Sequence, residues 1–253
     1  MGLFDNVFQK KICAVCGNEI GLLGNRKLED GNLCKHCAAK LSPFFHERKT
    51  STVEEIKTQL AYREENKKAL QNFHPTLTYG DFQKIHIDED LKAFVITSAK
   101  NLVESNPDII SLSQVTGCEF DIHENHSEEQ YDDKEGNSVS YDPPRFFYSY
   151  DFDITLHVNH PYFSEITVRI NSTDIQTTPV AVEQSVKPDP KQNNRYCKYE
   201  AIGNEIVEKL LHSRIQREIN AQPKMAVTCN CCGATSIPTQ NGCCEYCGSP
   251  LQS

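Results

Sequence analysis

Four Cys-x-x-Cys pairs, two toward each end of a 253-residue chain, restrict what this sequence can fold into more than any other feature. Cys13-x-x-Cys16 is followed after seventeen residues by Cys34-x-x-Cys37, and Cys229-x-x-Cys232 after eleven by Cys244-x-x-Cys247. Each pair sits on a tight turn and aims two sulfurs at one point, so two pairs supply a tetrahedral set for one Zn²⁺. Four cysteines fill every corner. The two sites are therefore expected to be closed and structural, without the open position that catalytic zinc keeps. Gly233 and Gly248 follow the pairs at the C-terminal end, where a knuckle needs a small residue for its amides to turn toward the sulfurs. That favours Cys232 and Cys244 as ligands over their neighbours Cys231 and Cys243. His36 lies between two ligands of a complete set and is expected at the surface.

The metal sites also set the domain organisation. A ribbon of roughly thirty residues buries too little apolar surface to fold alone. Zinc closes that gap with an apparent binding energy of about 10–16 kcal/mol. The expected division is an N-terminal ribbon over 1–50, a helical connector over 51–75, a β-rich domain over 76–222 with a linker at 177–194, and a second ribbon over 223–253. No stretch at the N-terminus reads as a secretory signal, and no apolar run is long enough to span a bilayer. A reducing cytoplasm is the expected compartment for so many thiols.

Charge is segregated. The net charge of −9 comes largely from Glu119–Glu135, where eight carboxylates face only Lys134. Residues 1–50 instead carry eight Lys or Arg against five Asp or Glu. The chain as a whole lacks the concentrated basic face of a nucleic-acid binder, and its acidic segment repels phosphate backbones and anionic membranes alike.

Along the chain, Met1-Gly2 lacks the Ser or Thr that a myristoylation motif wants at Asn6. Leu3, Phe4, Val7 and Phe8 share one side of a short expected helix. Asp30-Gly31 signals a hairpin. Thr52 and Glu55 form a capping box for a helix carrying Val53, Ile56 and Leu60. The stretch Arg63–Lys68 is polar all round and reads as a solvated arm with a Glu64–Lys68 pair. From about residue 80 the period changes to two. Ile85 and Ile87, then Ala93–Ile96, then Val115, Cys118, Phe120 and Ile122 mark strands. The clearest has Tyr148, Tyr150, Phe152, Ile154, Leu156 and Val158 on one face, followed by Ile166, Val168 and Ile170. One-sided alternation marks antiparallel strands with one wet face. The acidic stretch 124–140 is expected to be the loop of a long hairpin. After Pro179, Pro188 and Pro190, the residues Tyr199, Ile202, Ile206, Val207, Leu210, Leu211, Ile215 and Ile219 form an amphipathic stripe that should dock on the sheet.

The run from Cys13-Ala14-Val15-Cys16-Gly17 to Asn32-Leu33-Cys34-Lys35-His36-Cys37 resembles a bacterial family of N-terminal zinc ribbons that has no assigned activity. The tail, with its two Cys-x-x-Cys-Gly knuckles, is similar to the generic bacterial zinc ribbon. Between them, the strands, acidic hairpin and final helix, with the phrase Asp108–Phe120, are similar to a bacterial pleckstrin-homology-like domain. These resemblances imply an α+β, antiparallel β-rich (PH-like) centre with a C-terminal amphipathic helix, flanked by two small four-cysteine zinc ribbons and holding two structural zinc ions. They imply no reaction.

No phosphate-cradling loop, nucleophile elbow or His-Glu-x-x-His pair is present. No Cys-x-x-Cys pair reads as the helix start of a βαβ unit that a thiol oxidoreductase needs, and each has a partner pair at metal spacing. His123-x-x-His126 beside Glu124 and Glu128 reads as part of a solvated charge run. The expected function is thus a non-enzymatic protein-interaction module. Two other readings are open: nucleic-acid binding through Arg26, Lys27 and Lys35, and a thiol sensor in which Cys231 or Cys243 reacts and releases metal.

Overall fold

The computed structural model describes residues 11–177, 187–221, 226–239 and 242–251, with only the backbone of 212–221. The helix expected around Leu3–Phe8 and the linker around Pro179 lie outside the described residues, as do the side chains of Ile215 and Ile219. The chain forms two units, residues 1–213 and 214–253.

The first unit begins with two small hairpins. Strands β1 (Lys11–Ile12) and β2 (Glu19–Ile20) pair, as do β3 (Asn25–Lys27) and β4 (Asn32–Cys34). The Asp30-Gly31 signal does turn β3 into β4, closed by the Leu28 N–H donating to the Gly31 carbonyl at 2.9 Å. A single helical turn, α1 (Lys35–Ala38), then leads toward α2 (Val53–Ala69). Thr52 caps α2, and its backbone N–H donates to the Glu55 carboxylate at 2.7 Å, a complete capping box. Ile56 packs with Leu28, Leu33 and Leu41, so the ribbon's core takes in the first turns of α2.

The centre is built from two antiparallel sheets. One orders β5 (Leu77–Tyr79), β6 (Lys84–Asp88), β7 (Ala93–Thr97) and β8 (Ile110–Ser111); a short α3 (Leu102–Ser105) precedes β8. The other has β10 (Ser138–His160) at its middle. It pairs on one side with β9 (Val115–Asp132), and on the other with β11 (Phe163–Arg169) and β12 (Ile175–Thr177). Period-two alternation places Tyr150, Phe152, Ile154, Leu156 and Val158 in the core, where Ile166 and Val168 from β11 join them. β7 is buried on both faces: Phe94 and Ile96 face this core, while Ala93 and Val95 meet Leu70 and Phe73 beyond α2. The long helix α4 (Asn194–Ala221) lays Tyr196, Tyr199, Ile206 and Leu210 on the same core. Gly203 lets it approach, because a Cβ there would stand 2.3 Å from the Phe120 ring. The fold is thus α+β, rich in antiparallel strand, with a cluster of four cysteines toward each end.

Two expectations fail, each for a physical reason. The stretch Arg63–Lys68 is no solvated arm: Gln59, Arg63 and Asn66 are buried along one side of α2. A stripe of polar residues is invisible to a search for apolar periodicity, yet Arg63 and Asn66 dock firmly because their hydrogen bonds are met, whereas the buried Gln59 amide has no hydrogen-bond partner among the described residues. On the outer side, Lys68 pairs with Glu65 at 2.7 Å. The acidic stretch is likewise no loop. β9 and β10 continue through it to a tight turn at 133–137, with Gly136 at φ +82°. There the backbone N–H groups of Glu135 and Asn137 donate to Asp133 Oδ1 at 2.8 and 2.9 Å, and these bonds hold the Asp133 carboxyl below its ordinary range. Cross-strand aromatic contacts, Tyr131 with Tyr141 at 4.9 Å and His126 with Phe146 at 5.8 Å, hold the strands together despite the charge.

The second unit contains β13 (Val227–Thr228) and β14 (Thr235–Ser236), a two-stranded ribbon. Among its described side chains the buried ones are Cys229, Cys244 and Ser236.

Candidate metal centres

In the N-terminal centre, Cys13 and Cys16 lie on the turn between β1 and β2. Gly17 follows at φ +73° and donates its N–H to the Cys13 carbonyl at 2.9 Å. The second pair is held differently. Cys34 ends β4 and caps α1, its Sγ accepting the Cys37 N–H at 3.4 Å. The Cys34 N–H in turn donates to Cys13 Sγ at 3.3 Å. Burial opposes ionisation of the Cys13 thiol, but backbone N–H groups of Cys16, Cys34 and Val15 bring it down to about 6. Cys13, Cys34 and Cys37 are buried; Cys16 is exposed.

The C-terminal centre is built from two matching knuckles. Gly233 and Gly248, at φ +73° and +72°, donate to the Cys229 and Cys244 carbonyls at 2.8 and 2.9 Å. Hydrogen bonds from the Ser249 hydroxyl and backbone draw the Cys247 thiol down to about 6. Ser236 also donates to Cys244 Sγ at 3.9 Å.

In both centres all four sulfurs lie within 4.8 Å of one another. A tetrahedron of thiolates at about 2.3 Å from zinc places its sulfurs about 3.8 Å apart. The separations are 3.8 Å for Cys16–Cys34, 3.6 Å for Cys229–Cys247 and 3.7 Å for Cys232–Cys244. Sulfur spacing, an all-thiolate donor set and amide hydrogen bonds onto the sulfurs fit one structural zinc ion per cluster. Zinc would there act as a cross-link.

Among the described residues these two clusters are where three or more metal-ligating side chains converge. Cys231 is exposed and Cys243 half-buried, outside the second cluster. His36 is exposed on α1. His123 and His126 point to opposite faces of β9: His123 approaches Asp153 at 3.4 Å, while His126 sits against Phe146 and Tyr148. Arg26 and Lys27 lie on β3 and Lys35 on α1.

Sequence reasoning missed a polar hub where ribbon, α2 and the central sheets meet. Asp108 is fully buried and accepts from Ser42 at 2.7 Å, Arg63 Nη1 at 2.6 Å and Tyr62 at 3.2 Å. Arg63 also donates to the Lys40 and Asn106 carbonyls. Asn66 donates to Asn106 and Pro107 and accepts the Ile109 N–H at 2.9 Å. His160 Nε2 lies 3.2 Å from the Tyr62 hydroxyl, and its Nδ1 accepts the Tyr162 N–H at 3.4 Å. Burial and the neighbouring Asp108 carboxylate raise the Tyr62 phenol above its ordinary range. The one signal available was the excess of hydrogen-bonding residues in the part of α2 beyond Leu60, where no apolar face matches them.

The fold and the two four-cysteine centres define a zinc-ribbon protein with a β-rich centre. A family model described as a domain of unknown function (DUF4428) matches residues 11–59. The matched span runs from β1 into α2 and so covers the ribbon together with Ile56, which completes its core. No curated protein and no solved structure matches the chain.

Proposed function

We propose that this protein is a non-enzymatic adaptor whose zinc-held ribbons and central domain present surfaces to a protein partner. The observation that carries this reading is the β9–β10 arm. Among the described residues, β11 joins β10 only from Asp153 onward and β12 only at Tyr148–Tyr150. Within 138–147, residues 138–140 and 145–147 therefore pair, among the described residues, with β9 alone across a bulge at 141–144, and no described strand joins the outer edge of β9. Exposed edges of this kind are the template for strand addition by another chain. Tyr131 and Phe147 stand exposed on the arm and add apolar contact. The closed sets of four cysteines support a structural role for the metal. The order of sheets and the docking of α4 support a PH-like centre, and the ribbon sequence a bacterial origin and a cytoplasmic setting. The division proposed with it is a ribbon at 1–50, a connector at 51–75 whose first turns pack on the ribbon core, a centre at 76–222 and a second ribbon at 223–253.

The test is affinity capture with the zinc-loaded chain, with a Tyr131→Ser/Phe147→Ser variant beside it. Reproducible protein partners that the variant loses are expected. Recovery of no partner by the native chain would sink the adaptor reading. Partners held equally by both chains would remove the arm from it.

A further inference from the structure

The apex between β2 and β3 breaks a rule of turn chemistry. Gly24 donates its N–H to the Gly21 carbonyl at 2.9 Å, which closes a tight turn with Leu22 and Leu23 at its two central positions. Those positions normally carry Gly, Pro, Asn, Asp or Ser. Here both leucines are almost wholly exposed, at 96% and 93%, more than any other large apolar side chain among the described residues. They contribute nothing to the ribbon's own core. A local violation that gives the fold no benefit marks a working surface.

The surroundings of the apex indicate its counterpart. Lys35 and His36 line the same concavity as Leu22 and Leu23, with Glu19 as the one acid among those lining residues. Lys11 stands opposite Ile20, next to the turn. Arg26 folds beneath it, donating to the Leu23 and Asn25 carbonyls at 3.2 Å. Two leucines thus project beyond a collar of cations. At 96% and 93% exposure the two side chains stand almost free of their neighbours, and a counterpart that yields around them on every side suits such a tip. The acyl region of a bilayer does so, while anionic headgroups match the collar. The acidic residues that give the chain its negative charge belong to the β9–β10 arm rather than to this ribbon.

We propose that the Gly21–Gly24 turn is a membrane-contact tip, inserting Leu22 and Leu23 into an anionic lipid surface while Lys11, Arg26 and Lys35 meet the headgroups. The contact is weak by itself, comparable to a single lipid anchor, and reversible.

The experiment uses the zinc-loaded full chain and vesicles of phosphatidylcholine with or without phosphatidylserine. Cosedimentation is expected with the serine lipid and should fall at high salt. Leu22→Ser/Leu23→Ser should lower partition roughly tenfold or more while zinc content and circular dichroism stay native. Lys35→Glu should weaken binding with the leucines intact. Because the sequence contains no tryptophan, Leu22→Trp supplies a single reporter whose emission should shift to the blue on anionic vesicles. Absence of binding by the native chain, equal binding by the double serine variant, or an unmoved tryptophan emission would each overturn the proposal. Capture of the tip by a protein, with no vesicle binding, would assign the leucines to a protein groove instead.

Discussion

Burial disfavours the charged form of His160 and holds its pKa below the ordinary histidine value, against a smaller opposing pull from Asp108. Its contacts fix the tautomer. Tyr62 donates to Asp108, so His160 Nε2–H donates to the Tyr62 oxygen, and Nδ1 stays free to accept from Tyr162. A proton on Nδ1 would face that N–H directly. With the folded pKa lowered, the unfolded chain takes up the proton first as pH falls. Stability is therefore lost on acidification below about pH 6.5, the ordinary histidine value. Denaturant midpoints across this range should fall more steeply for the native chain than for His160→Gln; equal slopes would contradict the assignment. The thiols outside the clusters differ as sharply. Burial, with the Glu119 charge adding to it, pushes the Cys118 thiol up to about 12, whereas Cys231 is exposed. In zinc-loaded protein a thiol reagent should label Cys231 first and Cys118 last, which peptide mapping over time would read.

At the scale of elements, α2 and α4 dock by opposite means. α4 follows the amphipathic pattern, and its stripe meets the core. Its close approach depends on Gly203 against Phe120, a ring itself stacked on Phe152 at 6.2 Å. Gly203→Ala should cost about 1–3 kcal/mol by overpacking, measured as a lower thermal midpoint. Beyond Ile56, which packs in the ribbon core, α2 docks instead through Arg63 and Asn66 onto the turn before β8. Removing the carboxylate with Asp108→Ala leaves the Arg63 guanidinium buried and unpaired, a loss of about 3–5 kcal/mol in a denaturant melt. A loss below about 1 kcal/mol, typical of surface pairs, would show that the hub is not a buried ion pair in solution. These two elements also explain what could be read in advance. The stripe Tyr199–Leu211 announces its face because apolar burial is periodic. Arg63 and Asn66 announce nothing, since their burial depends on Asp108 and Asn106, some forty residues away. Residues 124–132 look like loop by charge, but a strand with both faces near water tolerates charge once its partner strand is in register.

For the molecule as a whole, zinc and the apolar core hold different parts. Among its described side chains the unit of residues 214–253 buries little beyond cysteines, so metal is expected to be its main source of order. A strong chelator should abolish hydrogen-exchange protection at Val227–Ser236 while the β10 core keeps its own. Loss of both together would mean that the centre also depends on metal. The sequence alone determined which cysteines converge, Cys13, Cys16, Cys34 and Cys37 in one cluster and Cys229, Cys232, Cys244 and Cys247 in the other, along with the inward faces of β10 and β11 and the capping box of α2. Each follows from spacing over a few residues, where chain geometry leaves one solution. Only the tertiary structure decided that a polar helix buries its polar side, that the acidic stretch becomes an arm, and that Leu22 and Leu23 stand uncovered. Those outcomes depend on which distant groups meet, and local spacing carries no record of that.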